Sequence, residues 1–172
     1  MRRGPRVGSD RSAGFPASIE VGHTELVDLS VDLDAPCGPE ELFDHIDDLG
    51  AYPTWLEIVE RAETVATQPA DDGDAAWLVD LRGRLGPLAR SKRLRMVRTA
   101  CDRPHAARFE RREQDGRDHS PWVLEAAVEA TATGSRLIMS LHYGGGFGDS
   151  VLERLLGQAI ERSKPALLAQ VT

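Results

Sequence analysis

Asparagine is absent from this sequence of 172 residues, and cysteine, lysine and long apolar runs are scarce. The absence of asparagine excludes N-glycosylation and Asn-Gly hairpin turns. The two cysteines, Cys37 and Cys101, are too few for a disulfide framework and lack the paired spacing of a zinc or redox site, so we expect reduced thiols. No stretch approaches the ~20 apolar residues of a membrane-spanning helix, and the N-terminus lacks the apolar block of a secretory signal. These absences predict a soluble, cytoplasmic protein without stable membrane insertion.

The charge of the chain is negative overall and unevenly distributed. The formal net charge of −7, from 21 basic and 28 acidic residues, disfavours non-specific binding to nucleic acid or anionic membranes. Residues 24–60 contain 11 acidic residues and no Lys or Arg, whereas residues 81–99 contain seven basic residues and no acidic one. This basic segment lacks the interleaved aromatic residues of a nucleic-acid site. The histidines show no pair at metal-binding spacing, so neither a metal nor a cofactor is predicted.

Hydrophobic periodicity divides the chain into a tail and one domain. Residues 1–23 have no periodicity and are predicted to form a disordered tail, which leaves residues 24–172 as the domain. In residues 27–34, Val and Leu alternate with Asp and Ser, the pattern of a strand with one apolar face. A short amphipathic helix is expected from Pro39 to near Gly50, because proline and two carboxylates suit a helix start and apolar residues recur at helical spacing up to Leu49. Residues 51–56 should form a turn or a second short helix.

Turn signals such as Asp72-Gly73 and Thr133-Gly134 divide the middle of the chain into segments of strand character. Six strands are predicted there, at residues 57–66, 75–85, 88–100, 105–113, 120–131 and 135–143. A helix of about 20 residues is expected after the capping box that Ser150 and Glu153 form. A twisted sheet of seven strands cannot cover its own apolar concave face, and this long helix is the element able to do so. The sequence therefore predicts an α+β fold in which a curved antiparallel sheet wraps around the C-terminal helix.

This element order and several short motifs resemble the START-like or SRPBCC superfamily, also called helix-grip or birch-pollen-allergen-like. The motifs are Asp-Ala-Pro at residues 34–36, the run at 41–49 and Tyr-Pro-Thr-Trp-Leu at 52–56. Arg-Gly-Arg-Leu-Gly-Pro-Leu at 82–88 is similar to a segment of the branch that contains polyketide cyclases and a subunit of carbon monoxide dehydrogenase. The resemblance covers residues 24–171. It implies an elongated cavity between sheet and helix that holds lipids, sterols, aromatic polyketides or similar ligands.

Strand alternation and the helical stripe place a set of side chains between sheet and helix, where they could either line this cavity or fill a closed core. These candidate ligand-binding residues are Trp77, Leu81, Leu94, Met96, Phe109, Trp122, Leu124, Met139, Leu141, Tyr143, Leu156 and Ile160. Tyr143 is the inward polar group, and its hydroxyl needs a partner if it is buried.

Basic residues of the fourth strand are candidates for the cavity mouth. Arg90, Lys92 and Arg98 share the inward parity of Leu94, so they should lie at the mouth or pair with acids, since a cation cannot sit unpaired in an apolar cavity. A basic mouth would suit a ligand carboxylate or phosphate. Tyr143 and Arg90 are also weak candidates for catalysis.

Other charged residues are expected to be solvated. By their outward parity, Arg93 and Arg95 should carry surface charge. The acidic pairs Asp47-Asp48 and Asp71-Asp72 are likewise expected on the surface.

Three functions fit the sequence. The first is binding or transport of a hydrophobic small molecule, which could be anionic: a lipid, a sterol or a polyketide-like compound. The second is an enzyme of the aromatase, cyclase or dehydratase type. The small number of inward-facing titratable residues argues against it. The third is an accessory subunit that binds a protein partner through its acidic face or its basic segment. Ligand identity and oligomeric state are not predicted.

Overall fold

The computed structural model describes the backbone of residues 26–85, 88–144 and 149–171, and the side chains of residues 29–83, 91–144 and 154–171. The predicted tail at residues 1–23 and the predicted capping side chains of Ser150 and Glu153 lie outside these ranges.

Seven antiparallel strands form one sheet in the order β1-β7-β6-β5-β4-β3-β2. Their bounds are β1 (Leu26–Ala35), β2 (Val59–Val65), β3 (Ala75–Leu85), β4 (Leu88–Asp102), β5 (Ala106–Arg111), β6 (Trp122–Thr131) and β7 (Gly134–Gly144). Strands β2 to β7 follow one another as a meander, and β1 joins the far edge by pairing with β7. The ends of the six predicted meander strands agree with the structure to within two residues.

The helices begin where the sequence predicts them, but the first is shorter than expected, since it ends at Phe43 and turns at residues 44–46 replace its predicted continuation to Gly50. Helix α1 (Pro39–Phe43) starts at a proline with Glu40 and Glu41 in its first turn, a composition that suits the positive end of the helix dipole. A 3-10 helix (Leu49–Thr54) follows, and the Asp48 carboxylate caps it by accepting from the Gly50 N–H at 2.7 Å. A further 3-10 turn covers Pro69–Asp71, and the C-terminal helix α2 spans Asp149–Leu168.

The main core lies between α2 and the face of the sheet that α2 covers, which we call the inner face. Strand alternation supplies the sheet side of this core, with Leu94 and Met96 of β4 and Met139 of β7 buried. Leu156 and Leu167 of α2 are buried against them. The α+β helix-grip architecture predicted from the sequence is therefore confirmed.

The opposite, outer face of the sheet contains a second buried region, which corrects two predictions. The sequence predicts surface positions for Arg95 and Asp71, yet the segment at residues 66–74 folds over the outer face of β3 and β4 and buries both. Their side chains form a two-pronged ion pair, with Nη1–Oδ1 and Nη2–Oδ2 distances of 2.7 Å. Strand parity gives the face on which Arg95 lies, but it does not show which chain segment covers that face.

Candidate functional site: an apolar cavity beneath the sheet

An apolar cavity of about 70 Å³ lies between the inner face of the sheet and α2. Nine of the twelve predicted ligand-binding residues line it: Leu81, Leu94, Met96, Trp122, Leu124, Met139, Leu141, Leu156 and Ile160. No acidic or basic side chain belongs to the lining formed by the described side chains. Because the walls offer almost no polar groups, apolar contact is the interaction that this cavity provides.

The other three predicted residues, Trp77, Phe109 and Tyr143, lie beside this lining. Phe109 is fully buried, with its ring centroid 5.8 Å from that of Trp77 in an edge-to-face arrangement. The indole Nε1 of Trp77 donates to Asp48 Oδ1 at 2.9 Å. Tyr143 packs against Trp122 with ring centroids 5.2 Å apart. These aromatic side chains pack next to the residues that line the cavity.

Seven lining residues were absent from the predicted set. They are Leu29, Leu49, Tyr52, Leu56, Ile58, Val59 and Val79. Strand parity could have supplied Leu29 and Val79, which share the faces of Leu33 and Trp77. The other five come from the 3-10 helix and the chain that leads into β2, where no period of two exists to mark the inward side. Tyr52 is held by a hydrogen bond from its hydroxyl to Ile46 O at 2.9 Å, and burial raises its pKa well above the usual value, so it stays neutral.

The cavity is small for a ligand site. Drug-sized ligands occupy pockets of roughly 300–1,000 Å³, whereas one water needs about 10–15 Å³ of such space. The 70 Å³ observed here therefore accommodates about five or six water-sized groups. Larger guests require movement of the wall, and Met96 and Met139 are suited to that because methionine has three rotatable bonds and adapts its shape.

One end of the cavity carries basic side chains. The Lys92 ammonium lies 5.0 Å from the ring centroid of Trp122, which lines the cavity, and Lys92 pairs in register with Leu81, another lining residue. Burial, with the nearby Arg111 as the second cause, lowers the pKa of Lys92. Arg90 pairs with Gly83 in the same hairpin, but its side chain lies outside the described residues.

Arg111 is a basic residue at this end that sequence reasoning missed. It shares the inward parity of Ala107 and Phe109 on β5, a signal that was available, and its side chain is only 10% exposed. Its guanidinium donates from Nε to Glu113 Oε1 at 2.7 Å and contacts His119 Nδ1 through Nη2 at 3.1 Å.

A narrow crevice of about 10 Å³ adjoins the cavity between β1, β7 and α2, and shares Met139 and Ile160 with it. Trp55, which is 4% exposed, lines this crevice. Its indole Nε1 is buried, and no described residue accepts a hydrogen bond from it. The crevice has the size of about one water molecule, which could accept that hydrogen bond.

Neither a metal cluster nor a membrane span occurs in the described part of the chain. No group of three or more His, Cys, Asp or Glu side chains there could hold a metal ion. None of the helices in these ranges is long and apolar enough to cross a membrane.

The curved sheet, the helix it wraps and the apolar cavity between them define a helix-grip domain. The sequence profile of the family described as "Polyketide cyclase / dehydrase and lipid transport" matches residues 26–170, and the chain belongs to this family. The START-like resemblance predicted from the sequence is thereby confirmed. No curated protein matches the sequence significantly.

Solved structures similar to this chain share its fold at low sequence identity. A START superfamily protein from Mycobacterium smegmatis superimposes with a TM-score of 0.62 at 15% identity, over 85% of this chain and 96% of that protein. The di-domain ARO/CYC StfQ from the steffimycin biosynthetic pathway gives 0.58 at 14% identity, over 85% of this chain and 49% of StfQ. Ara h 8.0201 gives 0.55 at 15% identity, over 85% of this chain and 97% of the other.

Proposed function

We propose that this protein binds a hydrophobic small molecule in the cavity between the sheet and α2, and that it sequesters or transports this ligand, with the cytoplasm as its compartment. The observation that carries the proposal is the apolar lining, to which the described part of the chain contributes no charged side chain. The family description, which includes lipid transport, supports the same conclusion. The twelve residues predicted from the sequence, with Tyr52, Leu56 and Val79 added, are the proposed binding residues.

The size of the cavity limits the affinity of a ligand that enters without rearrangement. Very small ligands gain at most about 1.5 kcal/mol per non-hydrogen atom, so a ligand of about six atoms gains at most about 9 kcal/mol, which corresponds to a Kd of about 0.3 μM. Tighter binding therefore requires a larger ligand and an expanded cavity.

Thermal unfolding and calorimetric titration with hexanol, decanol, a sterol and an aromatic polyketide mimic test the proposal. A ligand that binds only the native state raises the melting temperature. Val79→Leu adds one methylene group to the cavity wall and should weaken binding. Val65→Leu, the same change on β2 away from the lining, is the matched control and should bind as the unchanged protein does. Absence of stabilisation by every probe would overturn the proposal.

Cyclase-type catalysis is the alternative that the family description favours. The lining formed by the described side chains holds no acid, base or histidine to move protons, so the sequence candidates Tyr143 and Arg90 would have to supply this chemistry. Turnover of a poly-β-ketone mimic that is lost in Tyr143→Phe would establish the enzyme in place of the binding protein.

A further inference from the structure

A lysine lies next to the wall of the cavity. The Lys92 side chain is exposed, yet its ammonium lies 5.0 Å from the centroid of the Trp122 ring, which is itself 8% exposed and lines the cavity. Leu81, which faces Lys92 across the β3–β4 ladder, also lines the cavity. An apolar ligand in contact with Trp122 and Leu81 would therefore lie close to the Lys92 ammonium.

The charge of Lys92 is not compensated by an ion pair. Among the described residues no carboxylate lies within 4.0 Å of its ammonium, whereas its neighbour Arg93, on the other face of β4, forms an ion pair with Asp80 at 2.6 Å. Arg111 is close enough to lower the pKa of Lys92 by repulsion, and Glu113 pairs with Arg111 at 2.7 Å. His119, which contacts Arg111, is paired with Asp115. Because Arg111 is paired with Glu113 and Asp115 is paired with His119, the Lys92 ammonium is the positive charge of this cluster that no described carboxylate pairs with.

A cation–π contact with Trp122 leaves part of the ammonium free to donate hydrogen bonds. The ring attracts the charge but accepts no strong directed hydrogen bond, and a lysine ammonium has three N–H donors. A carboxylate at this position would receive a charge-assisted hydrogen bond, and the positive charge of Lys92 would favour it.

We propose that the ligand is a small hydrophobic carboxylic acid, whose apolar part of about five or six non-hydrogen atoms fills the cavity and whose carboxylate is bound by Lys92. This inference rests on the proposed function, because it assigns the chemical class of the ligand in the same cavity. A carboxylate carries one negative charge, which the single charge of Lys92 neutralises, whereas a doubly charged phosphate would keep a second negative charge without a partner.

Binding of hexanoate and of hexanol, which have the same chain length, tests the head group. Calorimetric titrations at low salt should show that Lys92→Gln weakens hexanoate binding about fivefold, the loss of a partly solvated ion pair, and leaves hexanol binding unchanged. Arg93→Gln removes the same charge one residue away on the opposite face and should change neither affinity. Raising the salt concentration should weaken hexanoate binding alone. Unchanged circular dichroism and melting temperature of the free variants would show that both are folded.

The outcomes distinguish failure of the carboxylate proposal from failure of the proposed function. Hexanol binding without hexanoate binding, or hexanoate binding that Lys92→Gln leaves unchanged, would overturn the carboxylate while the apolar cavity stands. Tighter binding of hexyl phosphate than of hexanoate would replace the carboxylate by a phosphate. Failure of every apolar probe, charged or neutral, would overturn the proposed function itself.

Discussion

The two faces of the sheet are built from the same strands and are packed in opposite ways. On β4, Leu94 and Met96 point to the inner face and line a cavity, whereas Arg95 and Val97 point to the outer face and are buried beneath residues 66–74. The outer packing is so close that a Cβ at Gly73 would overlap Arg98 O and Val97 Cγ1. The inner face thus keeps space, whereas the part of the outer face beneath residues 66–74 is closely packed.

The chemistry of the two buried regions differs as well. The cavity has apolar walls, whereas the outer region contains the Arg95–Asp71 ion pair, with side chains only 6% and 5% exposed. Taking two charges out of water is costly unless their remaining donors and acceptors are satisfied. Arg95 also donates to Arg112 O and Ala66 O, and Asp71 accepts from the Gln68 N–H at 2.6 Å. Such a region tolerates few substitutions, whereas a wall that borders empty space tolerates more of them.

Asp71→Asn should have the largest effect on stability. It removes one partner of a buried ion pair and leaves the Arg95 charge uncompensated, which typically costs about 3–5 kcal/mol. The hydrogen bonds from Arg95 hold the pKa of Asp71 below its usual value, so this stabilisation is present above the unfolded-state pKa of ~3.9 and is lost as pH falls through the lower folded-state pKa. Urea unfolding at several pH values measures the difference between the two proteins.

The difference should be full at pH 7 and shrink below about pH 4. A loss under about 1 kcal/mol at pH 7 would mean that residues 66–74 are held to the sheet mainly by their other contacts. A loss that does not change with pH would show that the Asp71 carboxylate is not the source of the effect.

The same substitution on the two faces tests the contrast in packing. Val97→Leu inserts a methylene group into the fully buried region against Gly73 and should cost about 1–3 kcal/mol. Val79→Leu places the same group into the 70 Å³ cavity, where space is available, and should change stability by less than about 1 kcal/mol.

Denaturant unfolding of both variants without ligand makes the measurement. Equal destabilisation by the two changes would show that the inner wall is as tightly packed as the outer region, and would also argue against a cavity able to hold a ligand.

A feature of this structure can be predicted from the sequence when the contacts that determine it lie close together along the chain. Alternation along each strand predicts the sheet and, together with the apolar stripe of α2, nine of the sixteen residues of the cavity wall, because the side of a strand or helix follows from its own residues. The same rule gives the parity of Arg111 and could have added it. It could not show that Asp71 reaches Arg95. The position of residues 66–74 over the sheet depends on tertiary contacts, and alternation within the two flanking strands carries no information about them. The alternation rule could not place Tyr52 and Leu56 at the cavity either, because Tyr52 lies in a 3-10 helix and Leu56 lies just after it.

Asp74→Asn should have the smallest effect on stability. It separates the contribution of burial from that of ion-pair geometry. Asp74 lies in the same segment as Asp71 and also forms a two-pronged ion pair with an arginine of β4, at 2.8 and 2.9 Å from Arg98, but its side chain is 61% exposed. Solvent screens this pair, and Arg98 keeps a second acceptor in Asp47 O at 2.8 Å, so we expect a loss of about 0.2–1 kcal/mol that fades at high salt. Urea unfolding at two salt concentrations checks this. A loss as large as that of Asp71→Asn would mean that the paired geometry, and not the exclusion of water, sets the contribution of these ion pairs to stability.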